Sequence, residues 1–280
     1  MGIKAADVKK LRDKTGAGML DCKNALSKAD GDFAKAEKIL KELGLAAAAK
    51  RSGRATNQGR VFTKISDNKA VILEIGCETD FVARNTDFIA LGEDIAATVI
   101  DKGLTEITPE LEEKVKETIS KIKENMSLKR LKVLDIAENE LVVDYIHGEG
   151  SIGILVKLTS DKPEIFKNEV VTSFGFDCAL HIAAFNPKYL SRNDVPADYV
   201  KEQEEIFMAQ AKNLGRPEKV LEGIVKGKLN KHFSEICFLD QPFVKDDKQS
   251  VSKVMASVAK EAGGSLSIPE FVYYKVGDEE

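Results

Sequence analysis

Tryptophan is absent from this 280-residue chain, histidine occurs three times, and aromatic residues make up only 6% of it. His147, His181 and His232 stand far apart, without HExxH or comparable ligand spacing, so a metal site has no support from them. GxxxxGK[ST] and GxSxG are both missing, which leaves neither nucleotide hydrolysis nor serine acyl transfer with a candidate site. The four cysteines, Cys22, Cys77, Cys178 and Cys237, include no CxxC pair and follow no secretory leader, and they read as reduced thiols. No apolar run approaches the ~18 residues that cross a bilayer. The opening MGIKAADVKK also lacks the apolar middle of a signal peptide, so a cytoplasmic protein that does not engage membranes is expected. Charge of one sign is lacking too: 42 basic against 46 acidic residues give a net charge of -4, which argues against broad attraction to nucleic acid and favours a protein partner.

What is present suits an ordinary globular chain, with 43% hydrophobic residues, enough for two or three domains. Up to Leu43 the apolar positions fall into three sets, each spaced for one helical face. They are Ile3, Val8 and Leu11; then Met19, Cys22 and Leu26; then Phe33, Ala36, Ile39, Leu40 and Leu43. Thr15-Gly16-Ala17-Gly18 separates the first pair and Asp30-Gly31-Asp32 the second. A three-helix bundle of ubiquitin-associated type is expected, in which Met19 and Leu20 either pack inward or face a partner. After Gly44 the run LAAAAKRSGRATNQGR reads as a linker that leaves the bundle mobile, its Lys50, Arg51, Arg54 and Arg60 being either solvated or a basic arm for RNA.

From about Ala55 strands and helices alternate. VILEIGCETD (Val71 to Asp80) is echoed by GILVKLTSD (Gly153 to Asp161), each followed by a helical stretch, which suggests two related halves. The expected fold class is therefore α+β. The bundle and linker occupy residues 1–54, and a two-part core with small antiparallel sheets occupies 55–146 and 147–280. A helical hairpin over 198–233 breaks at Leu214-Gly215-Arg216-Pro217 and pairs Val200, Ile206 and Phe207 with Val220, Ile224 and Leu229. Its outer face is either solvated or a symmetric interface for a homodimer. Gly148 to Gly153 matches GxGxxG but precedes a strand, so it reads as a turn and not as a dinucleotide site. No enzyme chemistry or cofactor is implied, and carboxylate pairs such as Glu112 and Glu113 or Asp246 and Asp247 read as solvated surface.

The most informative stretch is Glu74 to Asn85, EIGCETDFVARN, which puts an acidic-aromatic pair, Asp80 and Phe81, where a buried strand gives way to a helix near Thr79. From the residues alone, either Thr79 or Asp80 is an N-cap with Phe81 in the core, or the pair is aimed outward. Together with LRDKTGAGMLDCKNAL (Leu11 to Leu26), this segment resembles the two signature motifs of the elongation factor Ts family, the bacterial-type guanine-nucleotide exchange factors of elongation factor Tu. The resemblance continues through IKENMSLKR (Ile122 to Arg130), HGEGSIGILV (His147 to Val156), GRPEKVLEGIVKGKL (Gly215 to Leu229) and DQPFVKD (Asp240 to Asp246).

The resemblance implies binding to elongation factor Tu and release of its GDP. Asp80 and Phe81, flanked by Thr79 and Val82, would enter the magnesium and phosphate region, Arg12, Met19 and Leu20 would form a second anchor, and Ile122 and His147 would lie at the interface. Three positions depart from the family pattern: Gly76 replaces a usual asparagine, Glu78 a common glutamine, and Lys123 a frequent glycine. A ubiquitin-like-binding adaptor and an RNA-binding protein are the competing readings, and neither accounts for CETDF.

Overall fold

The computed structural model describes residues 3–212 and 218–278, which divide into two units. One takes in the chain up to Leu134, Ile146–Gly153 and the segment from Tyr274 onward; the other takes in Asp135–Tyr145 and Ile154–Tyr273.

The first unit opens with α1 (Ala5–Thr15), α2 (Met19–Lys28) and α3 (Phe33–Ala49). Gly16 ends α1 at φ 70°, its N–H donating to the Arg12 carbonyl at 2.8 Å. Asp32 caps α3 by accepting from the Lys35 N–H at 3.0 Å. Val8, Leu11, Cys22, Ala25, Leu26, Ala36 and Leu40 form the bundle core. Two residues of the expected faces point the other way: Met19 and Leu43 are 46% and 48% exposed. Residues Leu45–Ala49 are not the start of a linker. Alanine is the strongest helix former, so the run extends α3 by more than a turn, and Ala48 is buried in the core of this unit. The bundle is consequently packed on the body, not loosely tethered to it. A side chain at Gly44 would come within 2.5 Å of Ser120 Cβ, and Lys41 pairs with Glu117 at 2.8 Å.

The body of this unit contains β1 (Gln58–Ile65), β2 (Lys69–Cys77), α4 (Asp80–Ala83), α5 (Thr86–Lys102), α6 (Pro109–Ile122) and β3 (Met126–Asp135). The sheet order is β1-β2-β3, and β1 runs antiparallel to β2 from Gln58 opposite Cys77 to Ile65 opposite Ala70. β2 is buried from Ala70 to Cys77, and α5 lays Phe88, Leu91, Ile95, Ala96 and Val99 over the face that carries Val71, Leu73, Ile75 and Cys77. Past Thr79 the chain forms two helices, α4 and α5, not one. Asn85 accepts from the Asp87 N–H at 2.8 Å and starts α5 afresh, so Phe81 and Phe88 do not share a face.

The second unit holds most of β4 (Glu140–His147) and β5 (Ile152–Thr159), then α7 (Glu169–Phe185), α8 (Ala197–Lys212), α9 (Glu218–Ile236), β6 (Pro242–Phe243), β7 (Asp246–Ser250), α10 (Val251–Ala262) and β8 (Ser267–Lys275). Its main sheet has the order β4-β5-β8. The two echoed segments, in β2 and β5, are each the middle strand of a three-stranded sheet and are each followed by helix. The break at Leu214 to Pro217 lies outside the described residues. The hairpin seam is rotated from its expected setting. Ala211, Leu221, Val225 and Leu229 are buried with Phe207 and Ile224 against them, whereas Ile206 and Val220 face outward and Val200 joins Ile236 and Cys237 at the base. No described helix is long and apolar enough to cross a membrane.

Candidate functional site

Thr79 follows the last strand residues of β2 and stands at φ -127°, its hydroxyl accepting from the Val82 N–H at 3.4 Å as the N-cap of α4. That helix has only 4 residues and cannot stabilise itself, because nucleation costs more than one turn returns. Its inward side supplies the hold, with Val82 and Ala83 buried in the core of the first unit. Its outward side carries Asp80 and Phe81, and Phe81 is 81% exposed. Burying a Phe is worth about 1.5–3 kcal/mol, which this side chain forgoes.

The turn is gripped from the end of α6. The Glu124 carboxylate accepts from the Thr79 N–H at 3.1 Å and from its hydroxyl at 2.9 Å. In return the Glu78 carboxylate accepts from the Asn125 N–H at 2.6 Å and pairs with Arg54 at 3.2 Å. Those two partners, the Asn125 N–H foremost, hold the Glu78 carboxyl below the usual glutamate range. Behind the turn, Cys77 Sγ donates to the Thr79 carbonyl at 3.1 Å. Burial, reinforced by the nearby Glu124 charge, pushes this thiol up to about 12, so it stays protonated and serves as a donor.

On the exposed side Asp80 lies 3.8 Å from Arg84, and Arg84 lies 3.2 Å from Glu149. All three side chains are more than half exposed, and pairs of that kind are worth about 0–1 kcal/mol, so Asp80 exchanges partners at little cost. Glu149 belongs to the turn after His147, where Gly148, Glu149 and Gly150 all have positive φ, at 55°, 55° and 95°. The GxGxxG match is thus a turn between β4 and β5, as its order relative to the strand implies. Arg60 donates to the Ala83 carbonyl at 3.4 Å and crowds Gly150, which brings the exposed His147 corner beside α4.

Arg12 and Leu20 are exposed along with Met19, at the corner of α1 and α2, Leu20 by 68%. Asp21 beside them meets Lys123 at 3.9 Å, and Lys123 immediately precedes Glu124. Ile122 is half-buried against the core of the first unit. The structure therefore gathers all of the sequence-derived residues in one unit, exposing Asp80, Phe81, Arg12, Met19, Leu20 and His147 and turning Val82 inward. Sequence reasoning missed Glu124, 45 residues from its partner Thr79. Its only signal was its place in the quoted IKENMSLKR segment. Among the described residues no group of three or more histidine, cysteine, aspartate or glutamate side chains is arranged to hold a metal ion.

Comparison with known proteins gives the family. The profile of the family described as Elongation factor TS matches residues 78–278. The chain is 55% identical over 277 residues to Elongation factor Ts of Treponema denticola, covering 99% of each chain. It is 46% identical to Elongation factor Ts of Borrelia recurrentis over 99% of this chain and 100% of that one. It is also 42% identical to Elongation factor Ts of Borreliella burgdorferi over 98% and 99%. With a family profile over most of its length and relatives of this identity along nearly all of it, the chain belongs to the elongation factor Ts family of translation elongation factors.

Proposed function

We propose that the protein binds elongation factor Tu in its GDP form and accelerates GDP release, with Phe81 as a wedge and Asp80 as the group that perturbs magnesium coordination. The observation that carries this reading is Phe81, exposed by 81% on a turn whose next two residues, Val82 and Ala83, are buried and whose backbone is clamped at Thr79. A GTPase holds phosphates in a nest of backbone N–H groups with a magnesium ion, so displacing those groups weakens nucleotide without competing at the base. An apolar ring inserted between helices forces such a displacement, because packed cores do not deform continuously.

Magnitudes assign the rest of the interface. A thousandfold faster release needs about 4 kcal/mol, whereas burying one Phe supplies roughly 1.5–3 kcal/mol. The corner of Arg12, Met19 and Leu20, with two exposed apolar side chains, is the second anchor that favours the nucleotide-free state. Val82 supports the wedge from beneath, and Ile122 and His147 border it. The protein acts without making or breaking covalent bonds, and GDP loosens its grip on Tu by the factor through which it loosens GDP.

The test is release of a fluorescent GDP analogue from elongation factor Tu. Intact protein accelerates release, and Phe81→Ala removes most of the acceleration while leaving the unfolding midpoint unchanged, since the ring is outside the core. No acceleration by folded protein overturns the reading in favour of the adaptor. Acceleration untouched by Phe81→Ala keeps the function and discards the wedge.

A further inference from the structure

We propose that Glu124 is a positioning residue for exchange, its carboxylate holding the Thr79 backbone so that Asp80 and Phe81 project in one fixed direction. This rests on the exchange reading above and deepens it. Phe81 is too exposed to orient itself, and α4 is too short to be rigid on its own. The direction of the wedge has to come from its attachment. Burial of Val82 and Ala83 fixes the far side of the turn. On the near side every polar group of Thr79 is engaged: the N–H and hydroxyl by Glu124, the carbonyl by the Ala83 N–H at 3.2 Å and the Cys77 thiol. Of these, the two bonds to a carboxylate are charge-assisted and the stronger, and the thiol is a weak donor.

Glu124 is itself held in place. Lys123 adopts φ 71° at the end of α6, a left-handed conformation that turns the chain sharply into Glu124. Asn125, next along, is buried, its N–H given to Glu78 and its side-chain amide to the Arg54 carbonyl at 2.7 Å. The two carboxylates therefore cross: Glu78, beside Thr79, holds Asn125, and Glu124, beside Asn125, holds Thr79. Such an arrangement restrains both segments against sliding and rotation. A wedge acts by geometry, and misplacement by about 1 Å costs on the order of a hundredfold in a reaction that depends on orientation.

The experiment compares intact protein, Glu124→Ala, Glu124→Gln, Phe81→Ala and the double variant Glu124→Ala/Phe81→Ala. Release of the fluorescent GDP analogue from Tu is followed as a function of factor concentration, with the unfolding midpoint of each variant alongside. Glu124→Ala is expected to lower the saturating release rate about tenfold, while the half-saturating concentration changes little. Glu124→Gln, whose amide oxygen still accepts from the Thr79 N–H, recovers most of the rate. In the Phe81→Ala background, Glu124→Ala has much less further effect, because its influence passes through the ring. A purely structural residue would move the unfolding midpoint and give a loss that multiplies with that of Phe81→Ala; either that multiplication or an unchanged rate overturns the inference. Should Glu124→Ala fail to fold, the same cycle run with Glu124→Asp, which draws the carboxylate back from Thr79 by one methylene, decides, with non-additivity expected. If intact protein gives no acceleration, the exchange reading falls and takes this one with it. If intact protein accelerates and Phe81→Ala does not, while Glu124→Ala matches intact protein, only the positioning role falls.

Discussion

Glu74 sits in the middle of β2 with 2% of its surface exposed, among side chains that are otherwise apolar. A lone buried carboxylate would be prohibitive, and its cost is offset by Arg130, whose Nε donates at 2.8 Å, and by the Gly277 N–H at 3.0 Å. Arg130 also stacks its guanidinium 4.1 Å from the Tyr274 ring centre. Removing one member leaves the other charge buried and unpaired, so Arg130→Met is expected to lower stability by about 3–5 kcal/mol in urea unfolding. A loss under 1 kcal/mol would show that water or another cation takes over. The sequence displayed Glu74 as one anomaly inside a strand but carried no pointer to Arg130, 56 positions on. The same limit hid the grounds for the family departures. Gly76 is crowded by the Thr56 carbonyl, 2.8 Å from where a Cβ would stand, while Glu78 finds Arg54 and Lys123 takes a left-handed turn that glycine would adopt more cheaply.

Elements were legible where their signal is local and obscure where a distant partner decides. Helical spacing and the Gly-rich corners located α1, α2 and α3, and β2 was evident from its β-branched run. The alanine stretch was misjudged because nothing in it announces Ser120, the residue on α6 against which Gly44 closes. In α7 the buried His181 gave no sequence signal of its surroundings. Its Nε2 faces Gln241 Oε1 at 2.8 Å and its Nδ1 accepts from the Val244 N–H at 3.1 Å, so the neutral ring satisfies both nitrogens and a second proton would oppose the Val244 donor. Phe185, Phe238 and Phe243 surround the ring, and the nearby ionised groups are Asp177, paired with Lys245, and Asp240, paired with Arg192. Burial, partly offset by Gln241, holds the histidine below its ordinary value of 6.5. Its contribution to stability is therefore complete above that value and is lost as pH falls below it, where the unfolded chain takes up a proton that the folded chain refuses. Thermal midpoints should drop as pH falls below about 6.5 in the native protein, and that drop should flatten in His181→Gln. A slope unchanged by the substitution would assign the acid sensitivity to carboxylates instead.

At the scale of the molecule, the exposed candidates lie in a single unit although His147 is far along the chain from Leu20 and Phe81. The unit achieves this by taking back Ile146–Gly153 and by seating the bundle on α6. Two apolar patches on one body favour a partner state only if both engage more strongly after nucleotide leaves; an anchor that held both states equally would tighten binding without speeding release. The energetic shortfall of a single Phe requires the selective case. Leu20→Ala is accordingly expected to lower the saturating rate of GDP release about tenfold, near the lower end of what burying a leucine supplies. Because Leu20 and Phe81 are exposed side chains on separate helices, α2 and α4, the double variant Leu20→Ala/Phe81→Ala should lose the product of the two factors. If Leu20→Ala instead raises the concentration needed for half-maximal release and leaves the plateau untouched, the bundle is a tether, and the missing energy has to be sought elsewhere on the first unit.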